Sequence, residues 1–224
     1  MMDFEDQWLE KLSLALGEAR GAGFRDSVMS GAGEREVIRW TVEVMEKLNS
    51  ELSAEELHDV MTSCACHYPA SALEPVREAF AGTGSFTLAM DMLREQFREN
   101  MEKNLGIPDE VVENLLARGM GPAGVLEENR IVATKIPKSG NLMTWLSEED
   151  PGRRREIYCH CPRVNRALEQ GIPVPDTYCL CGAGFYRDIW ETITGKPVRV
   201  EVLRSVMNGD DTCSIAVYPE ALRA

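Results

Sequence analysis

Residues 178–219 read YCLCGAGFYRDIWETITGKPVRVEVLRSVMNGDDTCSIAVYP. From Gly184 a helix brings Phe185, Ile189, Trp190 and Ile193 onto one face, with Gly195 as its C-terminal stop. Val198, Val200 and Val202 then alternate with Arg199 and Glu201, the pattern of a half-buried strand. Asn208-Gly209-Asp210-Asp211 is a turn, beyond which Cys213, Ile215 and Val217 alternate with Ser214, Ala216 and Tyr218. The two runs make a hairpin, and the region is α+β with an antiparallel sheet.

Upstream, Arg130–Ile136 (RIVATKI) is rich in β-formers and bounded by Pro137 and Gly140. Arg155–Cys161 also alternates, with Ile157, Cys159 and Cys161 on one face, and is expected to be a strand. A short polar helix is expected over Asn165–Gln170. The first 120 or so residues have a different texture. Trp8, Leu9, Leu12 and Leu16 recur at helical spacing, as do Val37, Thr41, Val44, Met45 and Leu48. Ser53 followed by Glu56 has the form of a capping box. Phe86, Met90, Leu93, Phe97 and Met101 form the clearest stripe, ended by Gly106-Ile107-Pro108, and Asp109–Leu116 is a further short helix. The expected architecture is therefore α+β. A helical region, 1–122, packs on the antiparallel sheet of a cysteine-rich α+β region, 123–224, as one compact unit.

The chain has 224 residues, 24 Lys+Arg against 37 Asp+Glu, and a formal net charge of −13. Such an acidic chain repels phosphate backbones and anionic lipid, so nucleic acid is disfavoured as a partner. The one basic cluster, Arg153-Arg154-Arg155, follows Glu148, Glu149 and Asp150. No apolar run is long enough for a membrane span. The acidic, amphipathic start MMDFEDQWLEKL is unlike a secretory signal, so a cytoplasmic location is expected, where cysteines serve as thiols or metal ligands rather than disulfides.

Six of the seven cysteines fall in three C-x-C pairs: Cys64/Cys66, Cys159/Cys161 and Cys179/Cys181. Random placement gives on the order of 0.2 such pairs, so the clustering has a cause. In extended chain, residues two apart point to the same face, and two such pairs facing each other offer four sulfurs to one ion. That donor set suits zinc; an iron–sulfur cluster or copper(I) are alternatives. Cys159, Cys161, Cys179 and Cys181 are the expected ligands, with His67 a further candidate because Cys64-Ala65-Cys66-His67 ends in it. Glycines 182 and 184 suit a close approach of backbone to thiolate sulfur. Cys213 is expected in the core and His58 in solvent. Phosphate-binding, dinucleotide, serine-elbow and zincin motifs are all absent. A cysteine nucleophile would be Cys66 or Cys159, with His160 or His67 as base across segments.

The positions Cys181, Gly184, Gly195, Val198, Val200, Gly209 and Cys213 resemble the end of the four-vinyl-reductase domain family, with Ile215 where that pattern has an aromatic residue. The CHCPRV segment is similar to proteins labelled L-2-amino-thiazoline-4-carboxylic acid hydrolase-like. The resemblance, over roughly residues 125–220, implies the fold of nitric-oxide-signalling and Golgi-transport ligand-binding domains. It also implies a small hydrophobic ligand held between helices and sheet, zinc on cysteines in some members, and ready homodimerisation. On that basis Phe86, Met90 and Phe97 are expected to line a pocket for a small apolar or heterocyclic molecule. Two functions follow as expectations: a zinc-containing small-molecule-binding or sensor protein, or a hydrolase of a small heterocyclic or amide substrate using a cysteine or metal-bound water.

Overall fold

A computed structural model describes residues 4–222. Six helices lead: α1 (Phe4–Met29), α2 (Val37–Glu51), α3 (Ala54–Ser63), α4 (Ala70–Thr83), α5 (Phe86–Glu99) and α6 (Asp109–Ala117). They are followed by strands β1 (Val125–Glu127) and β2 (Arg130–Thr134). Helices α7 (Leu142–Ser147), α8 (Pro151–Tyr158), α9 (Pro162–Gln170) and α10 (Leu180–Thr194) come next, and β3 (Val198–Arg204) and β4 (Ser214–Pro219) close the described chain. The four strands form one antiparallel sheet in the order β1-β2-β4-β3, and the protein is α+β with its helices packed on that sheet. No helix among the described residues is long and apolar enough to cross a membrane.

Local chemistry sets the helix starts. Glu36 accepts hydrogen bonds from the N–H groups of Ile38 and Arg39 to open α2, and Ser53 and Glu56 form the full capping box on α3. Ser85 caps α5, whose stripe of Phe86, Met90, Leu93 and Phe97 is buried. Gly195, with φ of 65°, ends α10 in the left-handed region that glycine enters without strain.

The sheet register puts Ala133 opposite Ile215 and Ile215 opposite Val202, so one face of the sheet meets α10 as an apolar surface. Ile131, Ala133, Val198, Val200, Ile215 and Val217 close one core there around Trp190, which is fully buried. A second core joins α1, α2 and α3 to the α7–α9 region through Trp8, Leu12, Met45, Met61, Trp145 and Tyr158. Helix α10 spans the two. Its start, Leu180 and Cys181, lies against the second core, and Tyr186 to Ile193 belong to the first.

Several expectations need correction. Arg155–Cys161 is not a strand: residues up to Tyr158 belong to α8, opened by the Asp150 carboxylate accepting from Arg153 N–H at 2.7 Å and by Pro151 in the first turn. Arg154 stacks over Trp145 at 4.4 Å, which fixes this helix against α7. Helix α10 begins at Leu180, a turn before Gly184. Cys213 precedes β4 and joins the second core, while Ile215 and Val217 join the first. His58 is not simply solvated, since its Nε2 bonds Val200 O at 3.0 Å and ties α3 to the sheet edge.

Candidate functional site

Three chain segments meet at the end of β2. Lys135 N–H donates to Cys213 O at 2.9 Å, Cys213 N–H donates to the Tyr158 hydroxyl at 3.1 Å, and that hydroxyl donates to Lys135 O. This ring of bonds locks the start of β4 and the end of α8 to the segment carrying Lys135. Beyond Tyr158 the chain runs extended through Cys159 and reaches Cys161, the N-cap of α9. Cys179 closes a 3₁₀ turn, and Cys181 lies in the first turn of α10.

The sulfurs have identifiable partners. Cys161 N–H donates to Cys159 Sγ at 3.4 Å, Cys161 Sγ lies 3.3 Å from the Tyr178 hydroxyl, and Cys179 Sγ lies 3.0 Å from the Ser205 hydroxyl. Cys181 Sγ donates to Cys64 O at 3.4 Å and feels the Trp8 indole N–H, a buried group with no hydrogen bond of its own. Cys64 donates to Val60 O at 3.3 Å within its helix. Cys213 interacts electrostatically with Cys159 and Cys179. Six thiols thus share one region, and Cys66 is left exposed.

The two C-x-C pairs expected to chelate differ in conformation. Cys159 and Cys161 are extended, as that geometry requires. Cys179 and Cys181 are helical or nearly so, and residues two apart in a helix point about 200° apart. Their sulfurs accordingly diverge, one to Ser205 and one to Cys64. As the side chains stand, no three His, Cys, Asp or Glu groups among the described residues are set to hold a metal ion. His67 turns outward, with Nδ1 3.1 Å from an Asp188 carboxylate oxygen, and does not join the sulfurs.

Burial dominates the electrostatics. It pushes the thiols of Cys64, Cys159 and Cys179 up to about 12, and those of Cys181 and Cys213 upward as well. Lys135 opposes that shift in each of the last four. Burial in turn works against the Lys135 ammonium. The acidic groups of Cys159, Cys213, Tyr186 and Cys181 act the other way and leave the lysine above its ordinary range, so the ammonium is charged while the thiols around it stay protonated near neutral pH. His160 is lowered, first by burial and then by Lys135, so its ring is neutral near pH 7. Its Nε2 lies 3.1 Å from Ile136 O, and the Pro137 backbone also interacts with the ring.

Sulfur is the donor type that a thiophilic ion prefers, but these sulfurs point to separate partners, and the Lys135 ammonium stands beside the first turn of α10. Gly182 leaves room for that cation, because a Cβ there would stand 3.2 Å from Lys135 Nζ. Gly184 serves packing instead: its Cβ would fall 2.0 Å from Thr62 O, where α10 crosses α3. Lys135, Tyr178 and Ser205 were not singled out by the sequence. Tyr178 adjoins Cys179 in the chain but bonds Cys161, and Lys135 and Ser205 reach the cysteines only through the fold.

Phe86 and Met90 pack in the first core, with Phe86 5.8 Å from Trp190, whereas Phe97 belongs to the second core and covers Gly121. None of the three lines either of two surface clefts. One, of about 830 Å³, is bordered by His58, Arg187, Glu191 and Arg199, and the other, of about 450 Å³, by Leu9, Trp40, Arg163 and Arg166. No protein-family model matches this chain, and no curated protein or solved structure is significantly similar to it.

Proposed function

We propose that this is a zinc-binding protein whose thiolate centre, built from Cys159, Cys161, Cys179 and Cys181, is reached by a small molecule. The observation that carries the reading is the gathering of these thiols, from α8–α9 and α10, into one region, with the Cys161 N–H donating to Cys159 Sγ and the Tyr178 and Ser205 hydroxyls within hydrogen-bond distance of the Cys161 and Cys179 sulfurs. The side chains as described are those of thiols. Cys181 directs its S–H group at the Cys64 carbonyl oxygen, and binding an ion releases that proton and frees the sulfur to turn. When bound, zinc supplies a fixed positive charge that polarises an oxygen or nitrogen of a ligand. These four cysteines are half-buried rather than sealed, which leaves the centre open to a small molecule. His160, between Cys159 and Cys161 in the chain and held by the backbone of Ile136, stands at its edge as a further ligand or as a base.

Elemental analysis of protein purified without chelator tests this. About one zinc per chain is expected, and it should be lost in the Cys159→Ser/Cys181→Ser double variant. Stoichiometric iron with inorganic sulfide, or copper, would replace zinc by one of the other thiophilic centres. Absence of any transition metal, with a double variant that melts like the parent, overturns the reading.

A further inference from the structure

Arg163, in the first turn of α9, is 2% exposed, with its guanidinium 3.9 Å from the centre of the Trp8 ring and 5.4 Å from that of Trp40. Its Nε and Nη2 donate to the Glu5 carboxylate, whereas Nη1 is buried with no hydrogen-bond partner among the described residues. A buried N–H of a charged group left without an acceptor costs free energy, and folded proteins keep few of them. The same residue lines the cleft of about 450 Å³ between α1, α2 and α9. Arg35 and Arg166 line it too, so three guanidinium groups face one carboxylate, Glu5, in a chain of net charge −13. Arg35 donates to Glu43, outside the cleft, while Arg166 makes no hydrogen bond or ion pair among the described residues. The carboxylate on which Arg166 acts, Glu36, is already held by the N–H groups of Ile38 and Arg39. Leu9, Val37 and Trp40 give the cleft an apolar side.

We propose that this cleft is a binding site for a small organic carboxylate with an apolar body, a site independent of the thiol centre. The carboxylate accepts hydrogen bonds from Arg163 Nη1 and from Arg166, and its body lies against Leu9, Val37 and Trp40. Guanidinium and carboxylate make strong, charge-assisted hydrogen bonds, and a few polar anchors on an otherwise apolar wall are the usual make-up of a small-molecule site. Arg35 and Arg166 are exposed, so they can yield as the anion reaches the buried nitrogen. Inorganic phosphate carries charge but has nothing to place on the apolar side. An uncharged amide has the body but offers the two arginines no charge.

Titration calorimetry with hydrocinnamate, hydrocinnamamide and inorganic phosphate reads these demands separately, and the Trp40 indole N–H signal in nitrogen-labelled protein locates the site. Hydrocinnamate should bind and move the Trp40 signal, with the amide and phosphate roughly tenfold or more weaker, the size of a hydrogen bond to a charged group. Arg163→Lys keeps a positive charge beside Glu5 but loses Nη1, and should weaken hydrocinnamate by roughly tenfold. Should Arg163→Lys not fold, Arg166→Gln decides. Because Arg166 is exposed, that variant should melt like the parent and hold the same metal content, yet bind hydrocinnamate roughly threefold or more weakly. Equal affinity for acid and amide overturns the proposal, since the charge is then not recognised. Phosphate bound as tightly as hydrocinnamate overturns it in favour of a site for any anion. No movement of the Trp40 signal at millimolar hydrocinnamate, or binding that the folded variants leave unchanged, overturns it as well.

Discussion

Gly184 and Gly182 stand two residues apart on α10 and answer to different neighbours. A methyl group at 184 would meet the Thr62 carbonyl at 2.0 Å and the Ala65 methyl at 2.8 Å, both on or beside the rigid backbone of α3. Gly184→Ala should therefore destabilise the protein by about 1–3 kcal/mol, as overpacking at a close helix crossing does, measured by denaturant unfolding. Gly182→Ala meets the flexible end of Lys135 at 3.2 Å, so it should cost little stability and disturb the centre instead. Equal losses from both would refute this division. Trp190 offers the simplest packing test. It lies between Phe86 and the inner face of the sheet with no exposure, and Trp190→Ala should cost about 3–5 kcal/mol. Its burial was legible because Phe185, Ile189, Trp190 and Ile193 keep strict helical spacing. The position of Lys135 beside Gly182 was not, because a lone lysine after a strand reads as solvent-facing until the fold surrounds it.

At the scale of elements, capping chemistry explains both what the sequence disclosed and what it hid. The Ser53–Glu56 box was readable because both partners lie within one turn. The α8 start carried an equally local signal, Asp150 before Pro151, but the alternation of Ile157, Cys159 and Cys161 suggests a strand that ends up half helix and half extended chain. Ser53→Ala should lower stability by about 1 kcal/mol. The box also gives a pH dependence. The Arg20 guanidinium, bonded at 2.6 Å, and the Ser53 N–H hold the Glu56 carboxyl at about 2, against an ordinary 4.5. A carboxyl depressed in the folded state stabilises above its unfolded value and loses that contribution as pH falls toward 2. Glu56→Gln should therefore flatten the acid limb of the stability profile between about pH 4.5 and 2, and an unchanged limb would contradict the assignment. A second link joins α9 to α1. Arg163, 2% exposed, pairs with Glu5 and lies 3.9 Å over the Trp8 ring. Glu5→Gln strands this buried guanidinium, whereas Arg163→Met leaves a carboxylate that water can reach, so Glu5→Gln should be the more damaging of the two in thermal unfolding.

Across the whole molecule, the two cores are joined by α10, and the thiols collect where that helix begins. The architecture of helices on an antiparallel hairpin sheet was legible from periodicity in residues 178–219. The meeting of Cys159 and Cys161 with Cys179 and Cys181 was legible only as spacing, because spacing says which residues could cooperate and not which way a side chain points, and Cys213 was legible only as a core residue. The helical conformation at Cys179–Cys181 turns two sulfurs apart that an extended segment would align, and closing them on one ion requires them to reorient. The account stands or falls on sulfur coordination, which zinc-edge X-ray absorption on protein purified without chelator reads directly. It predicts a shell of sulfur alone, or of sulfur with one lighter ligand, at about 2.3 Å from zinc. A shell of nitrogen and oxygen only, or a sample without zinc, would contradict it.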